Sequence, residues 1–448
     1  MCGREFAGDT MDVQVHRSFV VPAPPSGPEE EVPLTVFDLV APAYHITVLF
    51  AFSPPNPTSA ALVDALTATL PHFPLLTARL ERRSSPGDRR PFFVTGRGGA
   101  GAVVVEAAVA SPLSDHLPLA PSPDLARLHA PAGEGATPHL LRLQINRFAC
   151  GGLVIASSAH HQAADGYSMS AFFHAWIDAV RAGGVPPLDR PMPYGPSALA
   201  PRRPPRCEFE HFGAEFLPRD GGAGGRPAPV RVDPSEITNM LLYYTSEFIA
   251  ELKASTQNKY TTFETVSAHL WRKITVARGR RDDPACTKLN VAVNGRARLD
   301  PDAVPRGFFG NVVLTASAGA SASDVARGSL ADAAALVRAG VRAVDRRYFQ
   351  SFIDFGELHG GEELEPTVGD EDNMLLPDVT SNSWLHLELH RLDFGCGGRL
   401  AGILPGRLPL DGELVLMPSL QKGGGVDVFV SLWEEHAKEL RNNAYTMD

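Results

Sequence analysis

The sequence predicts an α/β protein built in two parts. Three observations carry that prediction. Strand-like and helix-like segments occur in both halves, a proline- and glycine-rich tract at 184–232 separates them, and no fixed-period repeat runs through the chain. At 448 residues the chain is also too long for one ordinary core. A domain size of about 150 residues gives two or three units.

The elements follow from pattern. Val13 and Val15 open the first strand-like stretch just after Met11, so residues 1–10 read as a dispensable extension. YHITVLFAF (44–52) is β-branched and aromatic and predicts a strand. At 58–70, Ala61, Leu62, Ala65, Leu66 and Leu70 share one face of a helix. Segments 91–95, 102–109 and 139–149 predict further strands. GGLVIASSA (151–159) does not alternate, which fits a strand covered on both faces. A helix follows, with Phe172, Phe173, Trp176, Ile177 and Val180 at helical spacing and glycines at its end. Beyond the tract, 246–256 and 261–279 predict helices, the second with Phe263, Val266, His269, Leu270 and Ile274 along one side. Strands are expected at 288–296, 399–404, 412–417 and 426–432, and one or two long helices at 322–352. The expected division is 11–195, a crossover at 196–232, and 233–448.

Composition narrows the function. The net charge is −10 and no basic block is present, which argues against nucleic acid as a partner. No apolar run approaches the ~18 residues that span a bilayer, and MCGREFAGDT lacks the apolar stretch of a secretory signal. The five cysteines (Cys2, Cys150, Cys207, Cys286 and Cys396) are odd in number, widely spaced and without a CxxC. That fits reduced thiols in a cytoplasmic protein.

The chemistry concentrates at His160-His161-Gln162-Ala163-Ala164-Asp165-Gly166. A buried strand ends there, an Asp-Gly turn follows, and a helix begins. His161 therefore sits where a rigid strand gives way to a loop. An imidazole can take and return a proton near neutrality, so His161 is a candidate general base, with Asp165 able to fold back across the loop. An HxxxD spacing by itself recurs by chance and more often marks a satisfied core histidine.

The wider pattern resembles the plant BAHD family of CoA-dependent acyltransferases. HHQAADG matches its HHxxxDG signature, and Asp393-Phe394-Gly395-Cys396-Gly397 is similar to its DFGWG motif. TFETVSAHLWR (262–272), VNGRARL (293–299), GFFGNVV (307–313) and GGGVDVFVSL (423–432) extend the likeness over nearly the whole chain. NRFACGGLVI (146–155), EFEHFGAEF (208–216), YFQSFIDF (348–355) and SNSWL (381–385) resemble the monocot amine N-acyltransferases, the agmatine, putrescine and tryptamine hydroxycinnamoyl- and benzoyltransferases.

The resemblance implies two chloramphenicol-acetyltransferase-like domains with a central tunnel at their interface. It implies His161 as general base, no acyl-enzyme, no bound cofactor or metal, and acyl-CoA as co-substrate. Asp165 becomes a structural brace. Asp393, Gly395 and Gly397 form a structural motif, and Arg296 is the expected ion-pair partner of one of the two aspartates. Thr47, Trp384 and His386 are expected to meet substrate, and Lys253 and Ser255 to meet CoA. The expected product is a phenolamide, made by a monomer from an aromatic acyl-CoA and an amine; an alcohol acceptor is the alternative.

Two departures from the family pattern matter. Cys396 replaces the tryptophan of DFGWG. His386 stands where shikimate-using relatives carry an arginine, so bidentate capture of an acceptor carboxylate is lost. That shifts the expected acceptor towards an amine, whose cationic group needs acidic or aromatic side chains. Asp38 and Glu388 are candidates for that task.

Two other patterns lead elsewhere. Gly96–Gly101 fits GxGxxG, but a strand follows rather than a helix, so a glycine-rich hairpin turn is expected instead of a dinucleotide site. His386 and His390 are four apart, yet WLHLELH alternates like a strand and no HExxH is present, which argues against zinc. The DFGCG segment and the lack of a carrier domain argue against a peptide-forming condensation module that shares HHxxxDG.

Overall fold

The apolar run that ends at the double histidine forms the strand Leu153–His160, buried at every position. In the computed structural model, which describes residues 11–24, 28–84, 88–130, 138–218, 230–367, 374–375 and 377–447, that strand lies inside a six-stranded sheet. The strands, in order across the sheet, are Val13–Val21, Ala102–Val109, Leu141–Phe148, Leu153–His160, His45–Phe52 and Leu400–Pro405. The last of these comes from the C-terminal half and pairs antiparallel with His45–Phe52. Residues 1–10, read above as an extension, lie outside the described residues.

A second six-stranded sheet runs Ile237–Tyr244, Val426–Trp433, Glu413–Pro418, Val379–Ser383, Cys286–Asn294, Val313–Ser321. Glu30–Pro33, Arg79–Arg82 and Pro91–Thr95 make a smaller sheet. Each large sheet buries one face under helices. Ser59–Thr69 and Gly166–Arg181 cover the first, while Thr262–Ala277, Leu330–Ala343 and Glu434–Asn443 cover the second.

The opposite faces meet. Leu49, Ala51, Val154 and Ala156 of the first sheet, with Leu404, pack against Val415, Met417 and Phe429 of the second. Side chains alternate along a strand, so Thr47, Ser158 and His160 share the inward side of the first sheet. By the same rule Glu413 shares the inward side of the second with Val415 and Met417. This seam is the wall on which the site is built.

Three sequence expectations need correction. Strand Pro91–Thr95 belongs to the small sheet and Ala102–Val109 to the first large one, so Gly96–Gly101 connects two sheets and closes no hairpin. Gly96 and Gly101 have φ of +63° and +79°, the conformation that recommends glycine in that turn. The 322–352 segment is three helices, Ala322–Arg327, Leu330–Ala343 and Arg346–His359, because Ser329 and Asp345 each cap a new start. WLHLELH leaves its strand at Ser383 and turns, with Glu388 at φ +54°. Its alternation was a coincidence of loop packing: Leu385, Leu387 and Leu389 face apolar neighbours from irregular backbone.

The two halves exchange aromatic anchors. Phe37, from the short helix Val36–Leu39, is fully buried in the second core against Phe349 and Phe352. Phe309 reaches the other way and packs on Phe73 in the first core, with ring centroids 5.1 Å apart. An ion pair joins them: Arg296 Nη1 lies 2.6 Å from Asp165 Oδ2, with side chains 10% and 2% exposed. Removing the cation would strand a buried carboxylate. The expected outcome for Arg296→Ala is a loss of about 3–5 kcal/mol in denaturant unfolding. Asp165→Asn in the same background should recover part of it, and a full-strength R296A protein would show that the pair does not fasten the halves.

Candidate active site

The backbone at His161 is fixed from both sides. Its N–H donates to the Tyr44 carbonyl at 2.9 Å, and its carbonyl accepts from Asn311 Nδ2 at 2.9 Å. Residues His161–Ala163 form one 3-10 turn, and Asp165 then caps the helix Gly166–Arg181 by accepting from the Ser168 N–H. The helix start places Asp165 beneath the loop, where Oδ2 also accepts from the Val312 N–H at 3.0 Å. Asp165 is thus saturated by Ser168, Val312 and Arg296.

Arg296 is oriented as closely. It donates to Asp165, to the Gly310 carbonyl and to Ser168 Oγ, and its guanidinium lies 4.8 Å from the Tyr167 ring centroid. Gly310 has φ +141°, and a Cβ there would meet the Phe308 ring at 3.0 Å. Only glycine fits without strain where its carbonyl must serve both Arg296 and Ser168.

Asn311 is the residue that the motif-level reading missed. Its Nδ2 donates to the carbonyls of His161 and Gln162 and to Asp38 Oδ1. The signal available in the sequence was a lone asparagine inside the apolar GFFGNVV, a polar group that burial obliges to find partners. Asp38 answers it. Oδ1 takes the N–H and Nδ2 of Asn311, and Oδ2 takes the N–H and hydroxyl of Thr35. Burial pushes the Asp38 carboxyl above its usual range while Asn311 and Thr35 pull it back. With its oxygens occupied inside the protein, Asp38 cannot receive a substrate cation, contrary to the expectation above. Glu388 is exposed and pairs with Arg391 at 2.8 Å, which leaves it as a surface charge.

The imidazole of His161 is partly buried, with Nδ1 enclosed and unpartnered. Burial pushes its pKa below the ordinary histidine value, against the pull of its own backbone, Asp165 and Asn311. It is therefore neutral at physiological pH and able to accept a proton. His45 sits beside His160, ring centroids 5.2 Å apart, and burial brings its pKa down to about 4. Thr47 Oγ1 shares a hydrogen bond of 2.7 Å with Ser158 Oγ on the seam side. The end of the seam next to His161 thus carries polar side chains at the edge of an apolar interior.

The other expected residues spread around it. Trp384 is partly buried and touches both the first core and the inter-sheet cluster. His386, two residues on, is exposed. Lys253 and Ser255 end the helix Ser246–Ser255, where Ser255 Oγ donates to the Leu252 carbonyl at 2.8 Å. Asp393 Oδ1 accepts from the Gly395 N–H at 2.8 Å, and Gly395 and Gly397 have φ of +71° and +97°. With Phe394 packed on Phe52, this turn delivers the strand Leu400–Pro405 to the first sheet. Among the described residues no cluster of three metal-ligating side chains occurs, and no helix is long and apolar enough to cross a membrane.

Asn311→Ala would leave the Asp38 carboxylate and two carbonyls short of a buried donor. Expected is a destabilisation of about 3 kcal/mol and faster amide exchange at 161–164 than along Leu153–Ala159, read by hydrogen–deuterium exchange. Uniform loosening of both segments would contradict the local role.

Known proteins share this architecture. The structure of vinorine synthase superposes with a TM-score of 0.67 at 20% identity, covering 96% of each chain. TRI101 of F. sporotrichioides, in a complex with coenzyme A and T-2, gives 0.72 at 16% identity, over 92% of this chain and 97% of that one. In sequence, tryptamine hydroxycinnamoyltransferase 2 of Oryza sativa subsp. japonica is 36% identical over 93% of each chain. Agmatine coumaroyltransferase-1 of Hordeum vulgare is 34% identical over 93% of this chain and 94% of its own. Putrescine hydroxycinnamoyltransferase of O. sativa is 34% identical over 98% of this chain and all of its own. The Transferase family matches residues 11–447. A neutral histidine held at the end of a seam between two α/β halves, on a chain so matched from end to end, is that of a BAHD acyltransferase, and the chain belongs to this family.

Proposed function

We propose that the protein is an acyl-CoA-dependent N-acyltransferase that moves a hydroxycinnamoyl or benzoyl group from CoA to an amine, with His161 as general base. The observation that carries this reading is the neutral, partly enclosed His161 imidazole on a loop pinned by Tyr44 and Asn311. The relatives named above for tryptamine, agmatine and putrescine support the amine as acceptor. The reactants meet in a tunnel along the inter-sheet seam, with Lys253 and Ser255 towards CoA and Thr47, Trp384 and His386 towards the other reactant. Donor and acceptor are small molecules, and a monomer in the cytoplasm suffices for the reaction.

The steps follow from the site. The neutral amine nitrogen attacks the thioester carbonyl as His161 takes its proton. A tetrahedral oxyanion forms and collapses, the C–S bond breaks, and the thiolate leaves with the proton that His161 returns. The products are an amide and free CoA. Asp165 and Arg296 keep the loop in place and take no part in proton transfer.

Thiol release from p-coumaroyl-CoA, followed against agmatine, putrescine, tryptamine, tyramine and shikimate, tests the reading. Turnover is expected with amines; turnover confined to shikimate or another alcohol would overturn it. His161→Ala should fold and lose at least ~10²-fold in kcat. The pH dependence has a definite sign. His161 must be neutral to act, and burial holds it low, so its own limb, a steeper fall of kcat/KM, should come only as pH drops through a value below about 6.5. Above that limb the rate should climb as the acceptor, with a pKa near ~10, loses its proton. An acid limb that persists in H161A would assign it to another group.

A further inference from the structure

One carboxylate on the seam is hydrogen-bonded to the neighbouring strand but meets no cation among the described residues. Glu413 opens the strand Glu413–Pro418, and alternation turns its side chain to the face that Val415 and Met417 present to the first sheet. Asn382 Nδ2, on the neighbouring strand, donates to Glu413 Oε2 at 3.3 Å, which fixes that orientation. Part of its surface stays open.

The position is tied to the base's end of the seam. Strand Leu400–Pro405 leaves the first sheet where the Gly406 N–H donates to the Thr47 carbonyl. Thr47 in turn shares a hydrogen bond with Ser158, three residues before His161. Two residues after Gly406, the Leu408 carbonyl accepts from Asn239 Nδ2 and Ser431 Oγ on the second sheet. Ser431 is the register partner of Glu413. The crossing loop is held by Asn239 and Ser431, so it does not need the carboxylate.

Glu413 is also poorly provided with positive charge. Among the described residues, the charge acting on it is the like charge of Asp411, which is itself taken up by Arg278. Burial and the like charge of Asp411 bring its pKa up to about 7, against the pull of a hydrogen bond from Thr380. An enclosed carboxylate without a cation is costly. A visiting cation would supply what is missing.

We infer that Glu413 is the specificity-determining residue for the acceptor and binds the distal cation, ammonium or guanidinium, of a bifunctional amine whose other nitrogen is acylated at His161. This rests on the N-acyltransferase reading and narrows it. Aliphatic diamines and guanidinoamines are favoured over arylalkylamines, which carry no second cation. Asp427 lies on the same face at the other end of the strand pair, opposite Met417 and bonded by Ser419, and is the competing carboxylate that the test must separate.

The test compares acceptors with p-coumaroyl-CoA as donor. In Glu413→Gln, KM for agmatine and putrescine should rise by roughly 10- to 100-fold, the effect of losing a charge-assisted hydrogen bond, with kcat for tryptamine unchanged. Glu413→Asp should recover part of the loss, and melting curves report whether each variant folds. A measurement on the unaltered protein stands beside these: n-butylamine, which is putrescine without its second nitrogen, should show a KM at least roughly 10-fold higher than putrescine. Equal KM values for that pair overturn the inference, as does an E413Q protein that changes all acceptors alike or none. Loss of diamines in Asp427→Asn but not in E413Q overturns it too. Each of those outcomes leaves N-acylation standing; wild-type protein that acylates no amine overturns both.

Discussion

Asp165 is buried under the first turn of its helix, and a carboxylate in that position has to be neutralised from somewhere. Arg296 supplies the charge from the other half of the chain. The loop that carries His161 is therefore only well formed when both halves are in place. The same junction holds Gly310 and Asn311, whose carbonyl and amide close the remaining hydrogen bonds of the loop. His161 is thus positioned by the interface rather than by the strand it follows. A motif aspartate four residues from a motif histidine suggests a catalytic dyad, yet the carboxylate is spent on Ser168, Val312 and Arg296.

The seam depends on that fastening. Phe37 and Phe309 each lie in the core of the opposite half, and Leu400–Pro405 completes the first sheet from the second half of the sequence. These exchanges set the inner faces of the two sheets against one another. Apolar residues then fill the middle, while Thr47, Ser158 and Glu413 occur where the strand Leu400–Pro405 hands over to the second sheet. A reaction that needs a neutral amine and an exposed thioester gains from such a place, because water is displaced and charge is felt strongly.

Most of the strands and helices were legible because their side chains alternate or recur with simple periods. GGLVIASSA is buried on both faces, as its unbroken apolar run requires. Patterns misled where the backbone was irregular. WLHLELH alternates, but its leucines reach apolar neighbours from a turn, and local spacing cannot tell a strand from such a loop. GxGxxG runs into a strand as expected, yet its partners could not be foreseen, since the two flanking strands join different sheets. Asp38 looked available as an acid; its neighbours in space, Thr35 and Asn311, consume both oxygens.

The sequence by itself determined most of the elements and the family, because periodicity and short motifs are local properties of a chain. Only the tertiary structure decided what each charged group is for. Asp165, Asp38 and Glu413 are all carboxylates facing the interior, and nothing in their sequence context separates them. Arg296 claims the first, Asn311 and Thr35 the second, and Glu413 is bonded by Asn382 and Thr380 with no cation beside it among the described residues. Those partners come from residues far away in the chain, and the free energy of a buried charge is fixed by what lies within a few ångströms of it.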